Sequence, residues 1–202
     1  MVKKFVGAGS AKKLSNYQNI FMDLRHKFQK EVIPAMRAKF GYSNDLAVPK
    51  LIKTTLNVGL SRAITEKDSR YTEIVRDSLT KISGQKPVEI TARKSISGFK
   101  IREGLLVGMK VTLRSQRMYD FLNKLINIVL PRTRDFRGLS IKSIDKSGNL
   151  SLGLREHLVF PEIKTEDVQK IHGLEVTITT NAKDKEHGLE LFKLLGFPFK
   201  LD

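Results

Sequence analysis

The residues best suited to chemistry in this 202-residue chain are the clustered cations of residues 86–117. The segment carries eight Lys or Arg residues against two acids, and Gly98, Gly104 and Gly108 make its backbone adaptable. Nucleic-acid phosphates are bound through many weak cationic contacts, and glycine lets the main chain approach such a ligand closely. The segment therefore predicts a polyphosphate partner. Its one aromatic residue, Phe99, either stacks on a base or anchors the loop to the core.

The candidate phosphate-positioning residues are Arg93, Lys94, Lys100, Arg102, Lys110, Arg114 and Arg117. An isolated run of charge is often only a solvated surface segment. Here the cations continue onto one face of an alternating stretch, where Lys110, Thr112 and Arg114 are interleaved with apolar residues. A cationic surface that continues across two elements favours RNA or DNA.

The charge of the whole chain agrees with a nucleic-acid partner. The formal net charge of +16 attracts RNA, DNA or anionic lipid. The excess is regional, because residues 131–155 are also cationic whereas residues 156–202 carry more acids than bases. Residues 1–19 are basic and are expected to form a flexible extension, with an organellar presequence as the alternative. Residues 20–202 are expected to form a single RNA-binding domain.

Enzymatic chemistry has little support in the sequence, so we expect no catalytic residue, metal or cofactor. The absence of cysteine excludes disulfides and thiolate metal sites. No phosphate-binding G-x-x-x-x-G-K-[ST] loop or GxSxG motif occurs. The histidines lack metal-ligand spacing: His26, His157, His172 and His187. A nuclease remains an alternative, with these carboxylates: Asp135, Asp145, Glu156 and Glu162. Membrane binding is a third alternative, disfavoured because the basic segments lack the pattern of an amphipathic helix.

Two alternating stretches predict strands with one buried and one polar face. The first spans Leu51–Gly59, with Ile52, Leu56 and Val58 expected in the core and Lys53, Thr55 and Asn57 facing outward. The second has an apolar face made by Val107, Met109, Val111 and Leu113. Each predicted strand therefore offers a polar face for a ligand, and residues 87–91 predict a short strand beside them.

Helical periods account for most of the remaining chain. They predict a helix ending at Gly41 and kinked by Pro34, a helix over residues 71–82 with a glycine cap, and a helix between Ser115, as its cap, and Pro131. Residues 141–145 and 149–154 flank a glycine turn, which predicts a hairpin.

The C-terminal part predicts a short helix at residues 166–171, a strand at 174–180 and a helix at about 184–195. A hairpin together with polar-faced strands argues for antiparallel pairing. The predicted fold class is therefore α+β, with an antiparallel β-sheet, helices packed on one face, and a single compact domain.

Several motifs occur in a characteristic order along residues 55–200. They are TLNVG (55–59), SGQKP (83–87), ARKSISGFKIREG (92–104), KVTLR (110–114), PRTRDFRGLS (131–140), GNLSLGLREH (148–157), FPEI (160–163), ITTNAK (178–183) and GFPFK (196–200). In order and wording they closely resemble the bacterial-type large-subunit ribosomal protein five family, which binds 5S ribosomal RNA. The resemblance runs from about Ile20 to the C-terminus, and only the basic extension departs from it.

The resemblance implies an antiparallel sheet that binds RNA through a concave polar surface. By motif match, Asn57, Gln85 and Thr112 fall on the family's 5S RNA hydrogen-bonding positions. Uncharged side chains suit this role because they can bind sugar hydroxyls and splayed bases. The flanking residues expected to assist them are Lys53, Thr55, Lys110 and Arg114.

The resemblance also implies contacts beyond 5S RNA. The loop matching residues 92–104 reaches toward the elbow of the peptidyl-site (P-site) transfer RNA in the family, through Arg93, Lys94, Ser95, Ser97, Gly98, Phe99, Lys100 and Arg102. Glu103 and Leu105 occupy variable-looking positions of that loop. The segment matching residues 131–155 contributes to a bridge with a small-subunit head protein, through Arg132, Arg134, Asp135, Arg137, Lys142 and Lys146.

The resemblance implies a place in the central protuberance of the large subunit. Expected partners are 5S RNA, large-subunit ribosomal RNA, P-site transfer RNA, the small-subunit head protein and other central-protuberance proteins, with no membrane partner. The expected location is a ribosome, either cytoplasmic or organellar.

Overall fold

The computed structural model describes residues 23–60, 69–99, 101–164 and 170–200. Five strands form one sheet in the order β2-β3-β1-β5-β4, and every neighbouring pair is antiparallel. The strands are β1 (Leu51–Gly59), β2 (Val88–Thr91), β3 (Leu106–Leu113), β4 (Leu150–Leu154) and β5 (Leu174–Thr180). Helices cover one face of the sheet, which confirms the α+β prediction.

Four helices supply the second layer. Helix α1 consists of Leu24–Lys27, a π-helical stretch Phe28–Val32, and Ile33–Phe40. Helix α2 is Ser69–Ser83 and helix α4 is Lys185–Leu195. Helix α3 consists of Ser115–Lys124, a π-helical stretch Leu125–Val129, and Leu130–Arg132.

Helices α1 and α3 each contain a proline shortly after their π-helical stretch. Proline has no N–H to donate and its ring clashes with the carbonyl four residues earlier, so it disrupts a regular α-helix. The bonds just before Pro34 and Pro131 are of the i to i−5 type, from Ile33 to Phe28 and from Leu130 to Leu125. The interruption predicted at Pro34 is therefore a π turn. The end predicted at Pro131 comes one residue later.

Strand β1 has the predicted bounds but a different phase at its start. Ile52 is 39% exposed, whereas Thr54 is fully buried beside Leu56 and Val58. The pairing of β1 with β5 shifts register between Leu51 and Lys53. Such a bulge moves the preceding side chains to the opposite face of the sheet. The prediction that Ile52 faces the core is therefore wrong.

The hydrophobic core lies between the sheet and the helices. Its members on β3 and α3 confirm the predicted apolar faces: Met109, Val111, Leu113, Met118, Phe121, Leu122, Leu125 and Val129. Helix α2 contributes Tyr71, Val75, Leu79 and Ile82 and ends at Gly84, whose φ of 65° is the left-handed conformation expected of a glycine cap. Arg114, and not Ser115, is the N-cap of α3, because only one residue separates β3 from the helix.

The predicted hairpin over residues 141–154 is only partly present. Residues Ile141–Ser143 form a 3-10 turn whose Lys142 N–H donates to Ser140 Oγ at 3.2 Å, and only Ile144 bridges to β4. A side chain that caps the local backbone in this way competes with strand pairing. The predicted turn is confirmed, because Asn149 N–H donates to Asp145 Oδ1 at 2.8 Å and Gly148 has a φ of 70°. The predicted first strand is wrong.

Two other predictions fall largely outside the described residues. They are the flexible extension at residues 1–19 and most of the short helix at residues 166–171. Ile171, which is described, is not helical.

Two buried histidines join the loops at the end of the sheet to α2. The rings of His157 and His172 stack with centroids 3.9 Å apart, and His172 Nε2 lies 3.1 Å from Ser78 Oγ of α2. Burial lowers the pKa of both imidazoles because it disfavours their charged forms. The pKa of His172 falls from 6.5 to about 4, and the nearby His157 contributes to this shift. Protonation of the pair therefore opposes folding.

The free energy of unfolding is expected to fall as the pH drops through this range. A group whose pKa is lower in the folded state binds fewer protons there, so its stabilisation is present above pH 6.5 and is lost toward pH 4. For His172 alone the loss amounts to about 2 kcal/mol between about pH 7 and about pH 5. Urea unfolding of the wild type and of His172→Gln at both pH values measures it. An equal pH dependence in both proteins would contradict the assignment.

Candidate nucleic-acid interface

The face of the sheet turned away from the helices carries a row of hydroxyl side chains. Thr112 on β3, Thr55 on β1, Thr177 on β5 and Ser151 on β4 are register partners across four strands. The Ser151 and Thr177 hydroxyl oxygens lie 3.4 Å apart. Side chains two residues apart share a face of a strand, so the alternation in each strand builds this row. A hydroxyl both donates and accepts hydrogen bonds, which suits ribose and base edges.

The neighbouring row holds a cation, an amide and an acid. Asn57 on β1 pairs with Lys110 on β3 and with Glu175 on β5. Asn57 Nδ2 donates to Glu175 Oε2 at 3.4 Å. At the β2 edge of this row, Val88 faces Lys110 and is 56% exposed. The row therefore combines apolar, cationic, neutral and acidic groups within one face.

Gln85 reaches this surface from the loop after α2. Its Nε2 donates to the main-chain carbonyl of Thr112 at 3.5 Å. Because Thr112 lies one row from Asn57, the structure brings the three predicted 5S-contacting residues into one region. Lys53 faces Thr179 in the next row, and the exposed Arg114 follows the last residue of β3. The assisting residues thus surround the same region.

The loop between β2 and β3 forms a narrow arm held by its own main chain. Ala92 N–H donates to Leu105 at 2.8 Å, and Ile96 and Ile101 exchange hydrogen bonds of 2.9 and 3.1 Å. At the tip, in the 3-10 turn Ser97–Phe99, the Phe99 side chain is 73% exposed. The alternative that Phe99 anchors the loop to the core is therefore wrong.

The same arm presents cations and small polar residues to solvent. Arg93, Lys94 and Arg102 are exposed, and none of them forms a salt bridge within the described ranges. Ser95 is exposed and its Oγ accepts from Glu103 N–H at 2.9 Å, while Ser97 and Gly98 lie at the tip. Lys100 lies outside the described residues. The arm therefore has a cationic stem and an apolar tip.

A cationic groove of about 790 Å³ lies beside the edge strand β4. Four predicted bridge residues line it: Arg132, Arg134, Asp135 and Arg137. The main chain of this loop is clamped by the C-terminal segment, since Leu139 N–H donates to Pro198 at 2.7 Å and Lys200 N–H donates to Leu139 at 2.9 Å. Lys142 and Lys146 are exposed but do not line the groove.

The structure adds surface residues that were missed from the sequence. Thr177, Thr179, Ser151 and Glu175 complete the rows on the sheet, and Arg155 and Lys200 complete the groove. The signal for β5 was available, because LEVTITT alternates like the two strands that were recognised. The signal for Lys200 was not, since the C-terminal segment reaches the groove only through tertiary contacts.

The alternatives gain no support from the described part of the chain. It contains no group of three His, Asp or Glu side chains able to hold a metal ion. Two of the proposed nuclease carboxylates already have partners, since Asp145 accepts from Asn149 and Glu162 pairs with Lys124. No helix within the described ranges is long and apolar enough to cross a membrane.

Family comparisons decide between the remaining classes. The family model for the C-terminus of the ribosomal L5 family matches residues 106–199, and the model for ribosomal protein L5 matches residues 44–102. The chain belongs to the ribosomal protein L5 family. It is therefore a structural constituent of the ribosome and not an enzyme. Ribosomal RNA and other ribosomal proteins are the partners that follow from this membership.

Curated relatives cover almost the whole of the matched fold. The large ribosomal subunit protein uL5 of Carboxydothermus hydrogenoformans is 51% identical over 176 residues, which cover 87% of this chain and 97% of the relative. The uL5 proteins of Desulfatibacillum aliphaticivorans and Dictyoglomus turgidum are 50% and 52% identical, each over 88% of this chain and 98% of the relative. Family membership therefore extends over both the sheet and the groove.

Proposed function

We propose that the protein binds 5S ribosomal RNA through the polar face of its sheet and anchors it in the central protuberance of the large subunit. The observation that carries this proposal is the in-register surface formed by Asn57, Thr55 and Thr112, joined by Gln85. Uncharged groups at the centre can read sugar and base edges, while Lys53, Lys110 and Arg114 contact flanking phosphates. This division suits an irregular RNA better than a uniform duplex.

Two further contacts complete the proposed function. The arm between β2 and β3 contacts the P-site transfer RNA, because its exposed cations and Phe99 offer phosphate contacts and a stacking surface. The groove residues, with Lys142 and Lys146, form the bridge to a protein of the small-subunit head. The arm and the groove lie at opposite edges of the sheet, since β2 and β4 are its two outer strands. The protein can therefore engage both partners while 5S RNA occupies the face between them.

Binding of the full chain to 5S RNA and to free transfer RNA across a salt series tests the central proposal. Phosphate contacts alone weaken both complexes in parallel as salt rises. We expect the 5S complex to persist at salt concentrations where the transfer RNA complex has dissociated. Parallel dissociation of both complexes would reject specific 5S recognition.

The arm is expected to act separately from the sheet. Phe99→Ala and Arg93→Ala should leave binding to isolated 5S RNA within about twofold, because these side chains project beyond the paired strands. Loss of a stacked base costs about 1 to 3 kcal/mol, so Phe99→Ala should speed dissociation of P-site transfer RNA from ribosomes. Filter binding and dissociation kinetics measure the two effects.

Leu46→Ala is the matched control for the arm. Leu46 is another apolar side chain with high exposure, but it lies in the 3-10 turn Asp45–Ala47 after α1. The control should change neither measurement. A Phe99→Ala protein that loses 5S binding would instead move the arm onto the 5S interface.

A further inference from the structure

Glu175 has an unusual position on the proposed RNA-binding face. Among the described strand residues it is the one acid on the polar face, since Glu89 of β2 instead pairs with Arg76 of α2. An acid in the middle of an RNA-binding surface repels phosphate, which weakens non-specific binding. Its presence therefore calls for a compensating role.

The geometry around Asn57 supplies that role. A carboxylate only accepts hydrogen bonds, so the Asn57 amide must turn its NH₂ group toward Glu175 Oε2, 3.4 Å away. The amide oxygen then points away from Glu175. Without Glu175, either end of the amide could meet a ligand, because the two ends of an asparagine differ little in shape. Glu175 therefore determines that Asn57 offers its acceptor to a ligand above the sheet.

The arrangement of charge across the sheet points in the same direction. Lys110 and Glu175 flank Asn57 on opposite strands, and the hydroxyl row of Thr112, Thr55 and Thr177 runs beside them. A phosphate is therefore favoured near Lys110 and disfavoured near Glu175. RNA laid on this face must present neutral donors, such as ribose hydroxyls or base amino groups, at the centre.

We propose that Glu175 is a specificity-determining residue of the RNA-binding face. It positions the Asn57 amide and keeps phosphate away from the centre of the sheet, so that the surface selects exposed ribose and base edges over the backbone of any RNA. This proposal rests on the proposed 5S binding by the same face. It adds a residue whose effect is on discrimination between RNAs.

The test compares Glu175→Gln and Glu175→Asp with the wild-type full chain, using 5S RNA and an oligouridine as probes. Glu175→Gln keeps the side-chain length and removes the charge, so oligouridine binding should tighten about threefold with a salt slope steeper by about 0.7. Binding to 5S RNA should weaken about 5- to 10-fold, because the amide of Asn57 is no longer held in one orientation.

Glu175→Asp separates the two roles of the residue. It retains the charge but shortens the reach to Asn57, so oligouridine binding should stay within about twofold of wild type while 5S binding weakens. Glu186→Gln makes the same neutral change on an exposed acid of α4, on the helical side of the molecule, and should alter neither affinity. Thermal unfolding of all three variants should match that of the wild type.

The outcomes distinguish this proposal from the function on which it rests. A wild-type protein that prefers 5S RNA, with an unchanged preference in Glu175→Gln, overturns the role of Glu175 alone. A wild-type protein without that preference overturns both proposals. A lower 5S affinity without the tighter oligouridine binding would overturn the exclusion of phosphate.

Discussion

Removal of a single uncharged hydrogen-bonding group from the sheet face is expected to weaken 5S RNA binding by about 1 to 3 kcal/mol. The variants are Asn57→Ala, Gln85→Ala and Thr112→Val, the last of which keeps the branched shape of threonine. Each leaves an RNA group buried without its partner, and this penalty exceeds the net value of one hydrogen bond. The dissociation constant should rise about 5- to 150-fold. Filter binding or calorimetry with isolated 5S RNA measures it.

The salt dependence separates base and sugar recognition from phosphate binding. None of the three substitutions removes a charge, so the slope of log affinity against log salt should stay unchanged. Asn127→Ala on α3 removes an exposed amide from the helical side and serves as the matched control, with no expected effect. An equal loss of affinity for unrelated RNA in the three variants would count against selective recognition by this face.

Gly188→Ala is expected to lower the free energy of unfolding by about 2 to 3 kcal/mol. A Cβ atom at residue 188 would lie 2.5 Å from Gly148 Cα and 2.6 Å from its carbonyl oxygen. That oxygen also accepts from Thr180 Oγ1 at 2.9 Å, and Gly148 itself has a φ of 70°, so the turn cannot easily move. In an unobstructed helix the same change would stabilise by about 1 kcal/mol. The sign of the effect therefore reports on the packing of α4 against the turn.

Thermal and urea unfolding measure this change in stability. The midpoint of thermal unfolding should fall by roughly 4 to 12 °C for a chain of this size. Gly153→Ala on β4 is the control, because nothing lies within 4 Å of a Cβ added there and its φ is not positive. A stabilised Gly188→Ala protein would show that α4 and the turn separate readily.

Alternating stretches were the most dependable signals for the fold. The bounds of β1 and β5 and the buried faces of β3 and α3 were predicted, because burial on one face imposes a period on the sequence. The errors came from local hydrogen bonds and irregular pairing. The bulge beside Ile52 depends on the register with β5, and the turn at Ile141–Ser143 depends on a side-chain cap.

The candidate site was predictable strand by strand but not as a surface. Asn57 and Thr112 could be placed on polar faces, because alternation determines the direction of each side chain within its own strand. Which residues meet across the strands depends on order and register, which involve pairs far apart in the chain. The neighbours Thr177, Ser151 and Glu175 therefore emerged only from the folded sheet.

The sequence by itself determined the cationic partner preference, the α+β class and the polar face of each recognised strand, since these follow from composition and short-range periodicity. Tertiary structure alone decided that the sheet runs β2-β3-β1-β5-β4, that Gln85 reaches Thr112, and that Glu175 lies beside Asn57. It also decided that Phe99 is exposed at the tip of an arm. The physical reason is that these contacts join segments distant in sequence, whose approach is set by the packing of the whole core.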